Sequence, residues 1–209
     1  MHDLRFDEFA EKITQACMAY LDQPGFRPLS DRADALMDSP GFPLHAPIHH
    51  YLVPALLLSA WHKQEGSDPE TLRRDLKEAL RRSRVVPGGA CGYYGSCGAA
   101  VGLGIFWCIL TTCSPLARES WGQASGITGQ ALLDLAALGG PRCCKRGVYV
   151  ALRNGAKALE ARGRANPPQG PITCSFSLRN EECLKERCVF HPENPRGETA
   201  RQGGGKEKA

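Results

Sequence analysis

Apolar residues recur every three or four positions along most of this chain and nowhere alternate with polar ones, so helices are the only regular structure the pattern supports. Leu4, Phe6, Phe9, Ile13, Cys17 and Tyr20 mark a first amphipathic helix, stopped near Pro24-Gly25. Residues 22 to 44 carry Pro24, Pro28, Pro40 and Pro43 among other turn formers and read as a loop. His45 to Lys63 is apolar enough to be a buried helix, with Pro47 suited to its first turn and Pro54 inside it. Ser67-Asp68-Pro69-Glu70 has the form of a helix start. Leu72, Leu76, Ala79 and Leu80 then give that helix an inner face, and it ends before Pro87. Further helices are expected over 99–112, 124–138 and 143–162. Gly98 and Gly102, four apart, allow another helix to come close.

The sum is an all-α bundle with glycine-rich cysteine loops and a small cysteine-rich C-terminal segment. Its expected parts are an N-terminal helix and loop (1–43), a helical core (44–165), the cysteine-rich segment (166–192) and a disordered tail (193–209). Apolar residues make up 42% of the chain, enough for a core without covalent staples. A net charge of +4, spread out, argues against nucleic acid as a partner. The longest apolar run, Ala99 to Leu110, is too short to span a membrane. Met1 to Ala10 mixes charges with apolar residues, unlike a secretion signal. A cytoplasmic, reducing compartment is therefore expected, where disulfides are rare and ten cysteines call for burial, metal or catalysis.

Three cysteine groups stand out. In Pro87-Gly88-Gly89-Ala90-Cys91-Gly92-Tyr93-Tyr94-Gly95-Ser96-Cys97-Gly98, the backbone at Gly89, Gly92 and Gly95 can approach a bulky centre and aim N–H groups at sulfur. Cys97 opens a helix, where the dipole favours a thiolate. In Gly139-Gly140-Pro141-Arg142-Cys143-Cys144-Lys145-Arg146, two adjacent cysteines open a helix among three cations, a setting that lowers thiol pKa values. Neighbours on a helix point about 100° apart, so the pair need not serve one atom, although a cluster would use both. The third group is Cys174-x8-Cys183-x4-Cys188-x2-His191. Cysteines with the histidine suit zinc, and three thiolates with an open position suit iron–sulfur. Its spacing is near that of a Cys-Cys-Cys-His finger, a type that binds RNA, but only Phe176 and Phe190 stand by for bases. Cys17, Cys108 and Cys113 lie on apolar helical patterns and read as packing residues.

His45 and His49 share a helix face, with no glutamate between them of the zinc-hydrolase kind. A polar patch at the helix start accounts for His45, which leaves His49 and His50 as candidate acid, base or ligand groups. Signatures of radical-SAM enzymes, Rossmann folds, phosphate loops and serine hydrolases are missing from the sequence.

His49-His50-Tyr51-Leu52-Val53-Pro54, Pro87 to Gly92, Gly95 to Ala100 and Gly139 to Arg146 resemble a bacterial and archaeal domain-of-unknown-function family, the one numbered 5714. Asn180-Glu181-Glu182-Cys183 through Cys188-Val189-Phe190 is similar to that family's ending, so the resemblance spans roughly 44 to 191. Members occur alone or joined to radical-SAM or methyltransferase domains. The resemblance thus implies a partner of that kind and work beside anaerobic or methyl-group chemistry. His191 departs from the pattern, in which an aromatic residue is commoner, and this favours a three-cysteine iron–sulfur site over four-ligand zinc.

The expected function is that of an iron–sulfur or metal-binding protein acting in redox or group transfer. Cys91, Cys97, Cys143 and Cys144 would form one thiolate centre, and Cys174, Cys183 and Cys188 would join it or make a second. The alternative is a non-enzymatic, zinc-stabilised module that binds a protein or RNA.

Overall fold

A helix that is apolar on every face must be buried on every face, and Ile48–Glu65 is such a helix. The structure is a computed structural model and describes residues 4–163 and 171–195. Its eight α-helices among these residues are α1 (Leu4–Ala19), α2 (Leu29–Met37), α3 (Ile48–Glu65), α4 (Pro69–Arg84), α5 (Ala90–Tyr93), α6 (Gly98–Leu110), α7 (Glu119–Leu138) and α8 (Cys144–Glu160). Two 3-10 turns follow, Ser177–Arg179 and Lys185–Arg187, and there is no strand among the described residues. The protein is all-α.

Around α3 pack α1, α2, α4, α6 and α8, while α7 covers α6 and α8. Leu52, Leu56, Leu57 and Tyr51 of α3 are fully buried. Pro54 lacks the N–H that would bond the His50 carbonyl one turn back. The Ser83 hydroxyl of α4 donates to that carbonyl instead, at 3.4 Å, and α3 runs on unbroken. Gly102 sets the approach of α6: a Cβ there would lie 2.5 Å from the same carbonyl and 3.1 Å from Pro54 Cδ. A Cβ on Gly98 would collide with the His50 ring.

The ends of α4 and α7 follow their local signals. Asp68 caps α4 by accepting the Thr71 N–H at 2.9 Å, with Pro69 first in the helix. Gly139, at φ 75°, closes α7. The stretch expected to be a loop, 22–44, instead contains α2. Its prolines stand outside the helix, Pro28 at the N-cap, so none breaks it, and Leu29, Ala33 and Met37 bury one face. The glycine-rich loop likewise holds one helical turn, α5, entered through Gly89 at φ 83°. Most of the expected linker and tail lies outside the described residues. No helix among those described is long and apolar enough to cross a membrane.

The C-terminal segment is built into the core. Phe176, Leu184, Cys188 and Phe190 belong to the same buried cluster as α3 and α8. Phe190 meets Tyr149 of α8 edge to face at 5.2 Å, and Arg179 pairs with Asp38 at 2.6 Å just past α2.

Candidate functional site

The start of α3, the glycine-rich loop, the end of α7 and the start of α8 enclose one cavity of about 970 Å³. Cys91, Cys97, Cys143 and Cys144 line it, as do Gly89, Gly92, Gly95, His49 and His50. Segments separated by about a hundred residues in sequence thus share one wall. Cys97 caps α6 and lies against α8: a Cβ on Gly147 would be 3.1 Å from its sulfur. Glycine at 147 is what lets the cysteine loop reach the first turn of α8. Tyr93, 82% exposed, stands at the open edge of the cavity.

Electrostatics here differ from the expectation of activated thiolates. Burial pushes the Cys144 thiol up to about 11, with Cys97 and Cys143 nearby adding to the rise and the Ala46 backbone opposing it. Burial also raises Cys97, against the N–H groups of Ala100 and Ala99 and the charge of Arg146. Desolvation outweighs both helix N-termini, so both groups are protonated thiols at neutral pH. Metal binding at either would have to displace a proton.

The cations behave differently as well. Arg142 is exposed, but Lys145 is only 1% exposed and Arg146 is also buried. Lys145 Nζ donates to the Pro43 carbonyl at 3.0 Å and to His49 Nε2 at 3.2 Å, and lies over the rings of Phe42 and Phe176. Burial lowers its pKa to about 8. Arg146 donates to the carbonyls of Gly139 (2.9 Å) and Pro141 (2.6 Å), pinning the glycine-proline turn.

His49 is fully buried, and both its nitrogens are engaged. Nδ1–H donates to Ala46 O at 2.8 Å and Nε2 accepts from Lys145. Burial first, then Lys145, hold its pKa well below the histidine range. That places His49 in the framework of the wall. His50, 8% exposed, lines the cavity; burial depresses its pKa, and a backbone hydrogen bond with Val86 opposes the shift. His45 reaches across to Asn180 and Glu182 of the C-terminal segment.

Cys174, Cys183 and Cys188 do not line this cavity. They line a second, much smaller space of about 20 Å³, and Cys143 lines it too. Among the described residues no three Cys, His, Asp or Glu side chains already stand around one point as metal ligands do. One proximity had no sequence signal: Cys108 and Cys113 interact with each other at the end of α6, which pushes Cys108 up to about 11 together with burial. Nor did the sequence mark Lys145 as a buried bridge, since a lysine in an Arg-Cys-Cys-Lys-Arg run looks like surface charge.

Residues 26–191 match the model of a family of unknown function, DUF5714. The chain belongs to this family. The match covers the cavity, the smaller space and every cysteine except Cys17. No curated protein and no solved structure matches the chain.

Proposed function

We propose that this family member is a metal- or iron–sulfur-dependent protein in which Cys91, Cys97 and Cys144 hold a centre on the wall of the large cavity. The observation that carries the reading is their convergence. Cysteines from two distant segments line one cavity large enough for a small molecule, Cys143 among them although it also borders the smaller space, beside a buried His50. The donor set is soft and suits iron–sulfur or zinc. A cluster held by three protein thiolates would supply redox or group-transfer chemistry at a position open to the cavity. The chain's own contribution is to orient and exclude water. Lys145 and His49 fix the wall, Arg146 fixes the Gly139–Pro141 turn, and the backbone N–H groups of Ala99 and Ala100 support the Cys97 sulfur.

The resemblance to domains fused with radical-SAM or methyltransferase units supports a partner of that kind, in anaerobic cytoplasmic metabolism. Exposed Tyr93 at the cavity's edge, with exposed Tyr94 next to it in the chain, offers a contact surface. The alternative, a zinc-stabilised binding module, draws its support from the cysteines of the smaller space alone.

Anaerobic purification with iron, zinc and acid-labile sulfide analysis and an absorption spectrum tests the reading. Cys97→Ser and Cys144→Ser should each lose the cavity-bound iron and sulfide while helical circular dichroism persists, because serine is similar in size but a far poorer soft-metal ligand. Full retention of metal and sulfide in both variants would sink the proposal.

A further inference from the structure

The second space is bounded by four sulfurs, and one of them comes from the adjacent-cysteine pair. Cys143 precedes α8 as its N-cap, while Cys174, Cys183 and Cys188 arrive on the C-terminal segment. Cys143 is the first charge that Cys174 feels, followed by Cys188 and Cys183, so the four are electrostatic neighbours.

Each sulfur is matched to a backbone N–H. Arg146 N–H donates to Cys143 Sγ at 3.5 Å, Phe176 N–H to Cys174 at 3.4 Å and Lys185 N–H to Cys183 at 3.4 Å. The Phe190 backbone does the same for Cys188. Asn180 Nδ2 adds a second donor to Cys143, at 3.6 Å. In the C-terminal segment the donor is always two residues beyond the cysteine. Lys185 takes φ 53° to make this turn, in the left-handed region that residues other than glycine rarely adopt. Donors aimed at sulfur are the outer-shell support of metal thiolates.

Charge and volume narrow the occupant. Four thiolates on a divalent ion carry a net charge of minus two. Lys145 and Arg146, two buried cations whose desolvation needs compensation, lie beside the site. About 20 Å³ accommodates roughly one water-sized sphere. That admits a single ion and no iron–sulfur cluster.

His191 also borders the space, but its tautomer removes it. Glu193 N–H donates to His191 Nδ1 at 3.2 Å, so the ring proton of the neutral side chain sits on Nε2. Neither nitrogen then has a lone pair free for a metal.

We infer that Cys143, Cys174, Cys183 and Cys188 are the ligands of one zinc-type ion, which clamps the C-terminal segment to α8 and leaves Cys144 alone to the cavity. The side chains do not yet stand at bonding distance from one point; metal–sulfur bonds of ~2.3 Å would draw them in around the space they already line. The inference does not rest on the cavity reading, since its four thiols include none of Cys91, Cys97 and Cys144.

Cobalt(II) titration of the full-length protein under anaerobic conditions tests it. The first equivalent should give the intense visible bands of a tetrahedral four-thiolate site. Those bands should be lost in Cys143→Ser and Cys183→Ser and unchanged in Cys144→Ser and His191→Gln. In the wild type, where no variant can misfold, one equivalent of zinc should protect Cys143, Cys174, Cys183 and Cys188 together from alkylation, and a chelator should expose them. No binding by the wild type, retention of the bands in Cys143→Ser, or their loss in Cys144→Ser or His191→Gln would overturn the assignment. Full retention of cavity iron and sulfide in Cys97→Ser and Cys144→Ser, with the cobalt signal intact, would count against the proposed function alone.

Discussion

Two cysteine sites share the first turn of α8, and they differ in space more than in chemistry. One is a cavity of about 970 Å³ walled by loop glycines. The other is about 20 Å³ and walled by aromatic rings and backbone N–H groups. Burial pushes a thiol in each, Cys144 and Cys174, up to about 11, so neither wall activates its cysteines electrostatically. What separates them is room. The larger can admit a molecule beside a metal centre; the smaller suits one ion. The adjacent pair Cys143-Cys144 straddles the boundary because Cys143 is the extended N-cap of α8 and borders both spaces, while Cys144 opens the helix and borders only the larger. A doublet that looks like one bidentate ligand is better understood as a partition.

Breaking the small site from the protein side gives the largest expected effect. Phe176 is fully buried and lies over Lys145. Phe176→Ala removes that packing and should cost about 3–5 kcal/mol. Because Phe176 shares one buried cluster with α3 and α8, thermal melts followed by circular dichroism and by tryptophan fluorescence should shift down together. Two separated transitions would mean the C-terminal segment is an independent appendage, and the comparison would lose its premise of a shared α8.

How much of this was legible depends on the range of the signal. α1, α3, α4, α6, α7 and α8 follow from apolar spacing plus local signals such as the Asp68-Pro69 start and the Gly139 stop, which act within a turn of themselves. α2 was hidden because prolines crowd both of its ends, and their placement outside the helix is visible only once Leu29 and Ala33 are seen to be buried. The cysteine groups were legible as groups, and so was the need of Gly98 and Gly102 for a close neighbour. Which chamber each sulfur faces was not, since that depends on a segment returning from residue 174. The thiol pKa values inverted for the same reason: helix ends and nearby cations are written in the sequence, but desolvation is a property of the packed whole.

A smaller effect is expected from disturbing the α3–α6 contact next to the large cavity. In Gly102→Ala the new Cβ meets the His50 carbonyl at 2.5 Å and must push α3 and α6 apart. Overpacking costs of about 1–3 kcal/mol are partly offset by alanine's helix preference, so a net loss of about 1–2 kcal/mol is expected. Urea unfolding measures it. Gly126→Ala on α7, where a Cβ meets nothing within 4 Å, should instead stabilise by about 0.5–1 kcal/mol. First-equivalent cobalt binding should be unchanged in both variants. A weakened signal in Gly102→Ala would show that the two chambers are mechanically coupled.

At neutral pH the smallest effect comes from the residues that join the chambers. Lys145 Nζ touches His49 on the cavity side and Phe176 on the other. His49 is neutral because burial and Lys145 hold its pKa well below 6.5. The unfolded chain binds a proton at this histidine as pH falls through about 6.5, while the folded chain does not. The unfolded state therefore holds more protons in acid, and its stability relative to the fold rises there. His49 thus leaves stability intact above pH 6.5 and subtracts from it below, by up to about 1.4 kcal/mol per pH unit until the folded ring itself takes a proton. Burial lowers His50 as well, so the slope alone is not diagnostic. His49→Gln isolates it: the glutamine amide can still donate to Ala46 O and accept from Lys145, but it has no proton to gain. Urea-derived stability of wild type and variant between pH 5 and 7 should diverge below 6.5, with the variant falling less steeply. Parallel curves would mean His49 is protonated in the fold, and that Lys145 then faces a second cation at 3.2 Å or has moved. In that case the wall between the two sites is not the rigid partition that their comparison requires.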